Sequence, residues 1–386
     1  MPAKDGGCIA TLAISEGLLA AEVELKILTI ATPKHPFQPE FIPKEFAAKT
    51  QIESVFIDTD IKPIPAFLNL FSKKSYNVER FYSLDFNSRL IEILAKQQFD
   101  VVLMEGLYCM PYINTIRDKS KAKIVLRAHN IEHEIWEQLS NMEPNFLKKS
   151  YYRLLAGRLK TYEVEAMNQV DGIAAITLKD SIQIAQFTKV PVEIIQVGLK
   201  IKPETSSAFG QNCLFIGSME WLPNVEGVEW FLAKIWPKVL KELPDAKFYL
   251  AGKAMPESLN SRKDKGLQNF GQIENVTEFW GKSGILVAPL FSGGGLKVKV
   301  VEAMMMGKVV ITTPIGTEGI NAENGKHLFI CEDENSFLQT LLNLLKNPNL
   351  QTTIGHNAAT YAAEVFGQEE VSRKLIDFFE EISAFQ

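Results

Sequence analysis

The chain has 386 residues, enough for two ordinary domains that each bury a sizeable core. With 46% hydrophobic and 23% charged residues and a formal net charge of −5, the composition is globular and argues against a general nucleic-acid binder. Cys8, Cys109, Cys213 and Cys331 are far apart and form no CxxC pair, no apolar run reaches about eighteen residues, and no signal-peptide layout is present. The reading is a cytoplasmic protein without a disulfide framework or a membrane span.

In chain order, residues 1–7 (MPAKDGG) read as a loop and 8–21 as a helix, with Ile9, Leu12, Ala13, Leu19 and Ala20 roughly on one face. Asp5, Gly6 and Gly7 thus open a helix, either as an anion- or acceptor-binding loop or as a plain tight turn. In a doubly wound domain such a loop follows a first strand. None precedes it in the sequence, so the N-terminal sheet is expected to be weakened. Short apolar runs at 25–30, 55–57, 101–104, 124–126 and 173–176 alternate with helical patterns, the signature of a parallel α/β sheet. The proline-rich stretches 32–43 and 62–65 read as loops.

Asp58, Thr59 and Asp60 spell DxD after an apolar strand, which suits either a divalent cation or, more simply, a strand-ending acidic turn. His129 in RAHNIE lies just past the strand around 123–126, at the carboxyl end where ligands sit in open α/β sheets. His129, Glu132 and His133 also spell HxxEH, the ligand spacing of a zinc peptidase motif, but a first histidine at a strand end speaks against it. Residues 146–160 carry Lys148, Lys149, Arg153, Arg158 and Lys160 without an acid, interleaved with apolar residues. Such a helix fits an anionic membrane surface or a lipid-phosphate acceptor, and equally a core helix with a solvated basic face.

The polar stretch 197–211 reads as a linker between domains 1–196 and 212–368. A second βα series follows, with strands at 213–216, 247–250, 268–270, 285–288, 309–312 and 328–330 and a helix at 225–243. Asn275 is placed to cap a helix after the 271–277 loop, and the terminal helix 369–386 is expected to return to the first domain.

The stretch 288–319 (APLFSGGGLKVKVVEAMMMGKVVITTPIGTEG) is a strand running through Gly293, Gly294 and Gly295 into a helix. Glycines at such a junction let backbone N–H groups approach a bulky anion, and the helix N-terminus adds positive potential. Lys297 and Lys299 in a first helical turn oppose the macrodipole, a conflict that a bound anion removes. Gly295, Lys299 and Glu302, spaced i, i+4, i+7, are expected on one helix face. A glycine-rich turn beside a solvated Lys/Glu stripe is the plain alternative.

Pro289 before the glycines, Lys297 and Lys299, EAM at 302–304, Gly307, VVITT and GTEG together resemble the donor-site signature of family-4 retaining GT-B glycosyltransferases (glycosyl transferases group 1), in the subgroup with a triple-Gly loop. The resemblance implies an α/β GT-B fold of two doubly wound Rossmann-like domains facing a central cleft. It implies retaining transfer from a UDP- or GDP-linked sugar to a saccharide or lipid-linked acceptor, without cofactor or metal, in cell-envelope polysaccharide or glycoconjugate synthesis. A place at the inner face of the cell membrane, through the basic helix, goes with such an acceptor; no nucleic acid is involved.

The same resemblance assigns the donor to Gly7, Gly217, Ser218, Gln272, Ile273, Gly294, Gly295, Leu296, Lys297, Lys299 and Glu302. Glu302 would hold the ribose, backbone around Gln272 and Ile273 the base, and His129 the donor sugar, with His129, Lys299 and Glu302 as the catalytic set. Asp5, Gly6 and Gly7 would face the acceptor. Three positions depart from the family: Gly294 stands where the first of two glutamates is usual, and Ser218 and Asn224 where an arginine and a lysine are usual. Lys297 and Lys299 are expected to neutralise the diphosphate in their place. A catalytically silent homologue that binds nucleotide without transferring sugar is the competing reading.

Overall fold

A computed structural model describes residues 6–62, 64, 68, 69, 71, 72, 74–200, 210–293 and 295–384. Asp5, Gly294 and most of the expected linker, 201–209, lie outside the described residues. The chain divides into two compact units, Met1–Gly198 with Gln368–Gln386, and Leu199–Gly367.

Among the described residues the first unit holds six parallel strands in two sheets. β1 (Leu28–Ala31) pairs with β2 (Glu53–Phe56), and β3 (Val101–Glu105), β4 (Lys123–Ala128), β5 (Gly172–Ala175) and β6 (Val192–Ile194) run side by side in that order. β4 lies between two neighbours, and five of its six residues are buried. Its alternating side chains serve two cores. Ile124, Leu126 and Ala128 join Phe86, Leu90, Met104, Ile113 and Leu159 on one face. Val125 joins Ile14, Leu18, Val371, Leu375 and Phe378 on the other, where helix Gly6–Ala20 packs along the terminal helix Gln368–Ala384. Gln368 Nε2 donates to the Ala13 carbonyl at 3.1 Å, and a Cβ on Gly17 would come within 1.9 Å of Ser372 Oγ. That glycine therefore sets how closely the two helices approach.

The second unit is one six-stranded parallel sheet in the order β12 (Phe329–Ile330), β11 (Val309–Thr312), β10 (Ile285–Ala288), β7 (Asn212–Ile216), β8 (Lys247–Ala251), β9 (Leu267–Gly271). Every residue of β10 and β11 is buried, as expected of strands covered by helices on both faces. The predicted 225–243 helix begins earlier, at Leu222, and is interrupted by a π-helical turn, Phe231–Ile235, before continuing as Trp236–Glu242. Pro237 explains the break, because its ring removes one intrahelical hydrogen bond and crowds the preceding turn. Phe231, Trp236, Phe248 and Phe337 fill the core beneath it. Gly227 lies where a Cβ would meet the Pro289 carbonyl oxygen at 1.9 Å, so this helix seats directly against the end of β10.

Candidate functional site

In the second unit, β7, β8 and β9 are laid down in one direction from the centre of the sheet and β10, β11 and β12 in the other. The loops after β7 and β10 therefore diverge, opening a crevice at the carboxyl ends of the two central strands. Gly217 and Ser218 follow β7, while Pro289, Leu290 and the glycine loop follow β10.

Lys299 is the second residue of helix Val298–Met305. Its ammonium donates to Oδ1 of Asn224 and lies 4.3 Å from the ring centroid of Phe215 and 5.7 Å from that of Trp221. Asn224 Nδ2 donates to the Ser218 carbonyl at 2.7 Å. A Cβ on Gly217 would stand 2.9 Å from Asn224 Nδ2 and 3.4 Å from Lys299 Nζ, so a larger residue there would push these two side-chain ends aside. Asn224 thus ties the β7 loop to Lys299. Burial, and then the neighbouring Lys297, lower the Lys299 amine to about 7. Among the described residues no carboxylate pairs with it.

Lys297 is employed differently. It is 5% exposed, and its Nζ donates to the carbonyls of Gly293 (3.0 Å) and Gly295 (2.6 Å), with Glu318 Oε2 at 3.7 Å. Burial lowers this amine while Glu318 pulls it the other way. The ammonium closes the glycine loop from behind. Lys297 thus braces the glycine loop, whereas Lys299 is tied to the β7 loop through Asn224.

The expected common helix face also changes. The helix begins at Val298, so Lys299 and Glu302 share a face one turn apart, but Gly295 precedes it in a left-handed turn (φ +78°) with open space on its Cβ side. Gly293 is left-handed too (φ +90°), and a Cβ there would strike the Trp221 ring at 2.3 Å. Leu296 is half-buried. Burial raises the half-buried Glu302 carboxyl above the usual range, and among the described residues it accepts no side-chain hydrogen bond. Gln272, exposed, and Ile273, half-buried, lie in the loop after β9, where Asn275 Oδ1 accepts the Glu278 amide at 3.0 Å and caps the next helix.

The first unit assembles a second cluster at the carboxyl ends of β3 and β4. Oε2 of Glu105 lies 2.7 Å from His129 Nε2, accepts from Thr11 Oγ1 at 2.9 Å and stands 3.4 Å from Arg127 Nη1. Arg127 is fully buried, its Nη2 3.4 Å from the Gln196 carbonyl and its Nε without a partner among the described residues. Burial alone would raise the Glu105 carboxyl; the Arg127 charge, then His129 and Thr11, outweigh it and hold the group below its usual range. Thr11 belongs to the helix that Gly6 and Gly7 begin. Glu105 therefore joins the glycine-led helix to His129.

The HxxEH reading fails on geometry. His129 points to Glu105 from the end of β4, whereas His133 lies inside helix Glu132–Met142 and holds Glu163 through Nδ1 at 2.6 Å. Glu163 also accepts the Glu132 and His133 amides at 2.9 and 3.1 Å, capping that helix from a neighbouring one. The DxD is a local turn: Asp58 accepts the Asp60 amide at 3.1 Å and pairs with Lys62 at 3.0 Å.

Comparison with known proteins decides the architecture. The structure superposes on sucrose-phosphate synthase from Thermosynechococcus elongatus with a TM-score of 0.64 at 13% identity, covering 99% of this chain and 94% of that one. Anabaena HepE, solved in complex with UDP and glucose, gives 0.63 at 11% identity over 98% and 97% of the two chains. The fold is GT-B. Residues 210–347 of this GT-B chain match the family model described as glycosyl transferases group 1. A curated relative, an uncharacterized 44.6 kDa protein in the cps region of Klebsiella pneumoniae, is 27% identical over 294 residues, 74% of this chain and 75% of the relative.

Glu105, Arg127, Thr11 and Asn224 complete these clusters but escape sequence reasoning as site residues. Glu105 left a signal, an acid closing the apolar run 101–104 immediately before Gly106. Thr11 left none.

Proposed function

We propose that the protein is a retaining, metal-independent glycosyltransferase that moves a sugar from a nucleotide-diphosphate sugar to a saccharide or lipid-linked acceptor in envelope-polysaccharide assembly. The observation that carries the reading is the Lys299–Asn224–Gly217 group at the switch point of the second sheet, with Glu302, unpartnered among the described residues, one turn further on. The group 1 family match covers that same unit. A cps-region relative supports the polysaccharide setting, and neighbours solved with UDP, UDP-glucose or UDP and GlcNAc support a nucleotide-sugar donor.

In this reading the glycine-loop amides and Lys299 receive the diphosphate and stabilise the negative charge that grows on it as the glycosidic bond breaks. Glu302 accepts from the ribose hydroxyls. The departing phosphate oxygen removes the acceptor proton on the same face, so the chain mainly positions reactants. His129, held by Glu105, offers its other ring nitrogen to a sugar hydroxyl. Titration with UDP and GDP in chelator-treated buffer tests the donor reading, followed by an assay for slow donor hydrolysis. Saturable binding of one nucleotide with hydrolysis supports a transferase; binding without any turnover of the sugar donors favours the silent homologue.

A further inference from the structure

We propose that Trp221 is a positioning residue of the donor site: its ring joins the two walls of the crevice in the second unit and steadies both lysine ammoniums without cancelling their charge. The inference rests on the donor reading and adds to it a residue that touches the loop and the cations rather than the reacting atoms. Trp221 ends the β7 loop, as the residue before helix Leu222–Trp230. Its amide donates to the Ser218 carbonyl at 3.4 Å, and its own carbonyl accepts the Asn224 amide at 2.9 Å. Pro223 stiffens the same turn. The backbone beneath the ring is therefore fixed to the wall that follows β7.

The ring itself reaches the opposite wall. A Cβ on Gly293, in the loop after β10, would stand 2.3, 3.1 and 3.2 Å from Cζ2, Cη2 and Cε2 of Trp221, so the six-membered ring of the indole rests against the first glycine. Gly293 has φ +90°, and the left-handed turn and the ring thus each disfavour a side chain there. The ammonium nitrogens of Lys297 and Lys299 each lie 5.7 Å from a Trp221 ring centroid, and that of Lys299 lies 4.3 Å from the centroid of the fully buried Phe215. Glu318 approaches Lys297, at 3.7 Å, but among the described residues no carboxylate pairs with Lys299. A carboxylate between the two cations would relieve their repulsion only by taking up the charge that a diphosphate needs. A ring face attracts a cation through its quadrupole and carries no net charge, so it steadies the pair and leaves both cations available. Trp236 and Trp280 are fully buried, whereas Trp221 is half-buried and is not among the residues that fill the core around Trp236. Its place is the crevice, where a loop and two cations ordered in advance raise affinity by lowering the cost of ordering them on binding.

The test compares Trp221→Leu, which removes the ring, with Trp221→Phe, which keeps a smaller one. Calorimetric titrations with inorganic pyrophosphate, UDP and GDP are run at pH 6, where Lys299 is mostly charged. The leucine variant is expected to lose about tenfold in affinity and the phenylalanine variant to recover part of that loss. Indole emission gives a second readout that needs no ligand. The chain has five tryptophans, so the difference between wild type and Trp221→Phe isolates this one. Lys299→Met should change the emission of the wild type and leave that of Trp221→Phe unaltered. Equal affinity of wild type and the leucine variant, or a phenylalanine variant no better than leucine, overturns the proposal. An emission change on Lys299→Met that persists in Trp221→Phe overturns it too. Should the leucine variant melt below the titration temperature, the emission comparison decides alone. Wild type that binds neither pyrophosphate nor nucleotide overturns the donor reading instead, and the ligand-free emission still tells whether the ring holds the ammonium.

Discussion

Nε2 of His129 and Oε2 of Glu105 are 2.7 Å apart at the ends of adjacent parallel strands. A carboxylate only accepts hydrogen bonds, so Nε2 carries the proton and Nδ1 is the nitrogen left for a ligand. Glu105 fixes both the tautomer and the ring plane. It is a positioning residue, and the fully buried Arg127 keeps it ionised.

Glu105→Gln removes the charge that Arg127 faces. Leaving that guanidinium buried without its counter-charge should cost about 3 kcal/mol of stability, read by urea denaturation at neutral pH. The wild-type carboxyl is held below its usual range in the folded state, so its contribution is complete above the unfolded value of 4.5 and fades as the pH falls below it. The gap between wild type and variant must therefore close in acid. A gap independent of pH would mean that the charge is not the cause. UDP or GDP binding in the second unit should survive the substitution.

Lys299 gives nucleotide binding a proton signature. An amine lowered to about 7 is substantially neutral just above that pH, and an arriving diphosphate favours its charged form. Titrations at pH 8 in buffers of different ionisation enthalpy should show proton uptake, and affinity should fall as the pH rises through 7 to 9. Lys299→Met abolishes both effects. In the free protein the unfolded state binds the extra proton between about 7 and the ordinary value of 10.5, so the contribution of this group to stability rises across that window.

Glu302→Gln separates ribose from phosphate. A charge-assisted hydrogen bond contributes about 1.5 to 3 kcal/mol, so UDP or GDP affinity should drop by roughly tenfold or more while inorganic pyrophosphate binds as before. Equal losses for the two ligands would remove Glu302 from the ribose. Because the group is half-buried and, among the described residues, unpartnered, the variant should be no less stable than the wild type.

Asn224→Ala strands two half-buried partners, the Lys299 ammonium and the Ser218 carbonyl, and should cost about 1 kcal/mol. Asn224→Asp acts otherwise. A carboxylate beside Lys299 raises the amine out of the neutral range, so proton uptake on nucleotide binding disappears and affinity falls through competition with the diphosphate. Calorimetry on the two variants distinguishes an anchoring asparagine from a bystander.

The parallel strands are legible because helices cover both faces of the sheet and force continuous apolar runs: the runs 285–288 and 309–312 coincide with β10 and β11. β6 is not legible, since three residues with Glu193 in the middle make no run. At the site, the glycines and the Lys299/Glu302 spacing could be read from local pattern. The tasks of Lys297, Asn224 and Glu105 could not, because each depends on an atom supplied by a distant or folded-back segment: loop carbonyls, the β7 turn, and a histidine 24 positions away. HxxEH misleads for the same reason, since adjacency in sequence places its histidines on separate carboxylates.

Among the described residues β1, β2, β3 and β6 each have a hydrogen-bonded neighbour on one side alone, so the first unit presents four strand margins where the second, a single six-stranded sheet, presents two, β9 and β12. Amide groups along such margins exchange with solvent and accept foreign strands more readily than paired ones. Heating or dilute denaturant should therefore loosen the first unit before the second. The fate of the chain in storage, whether it stays dispersed or stacks, should then be decided by the margin strands of the first unit rather than by the second.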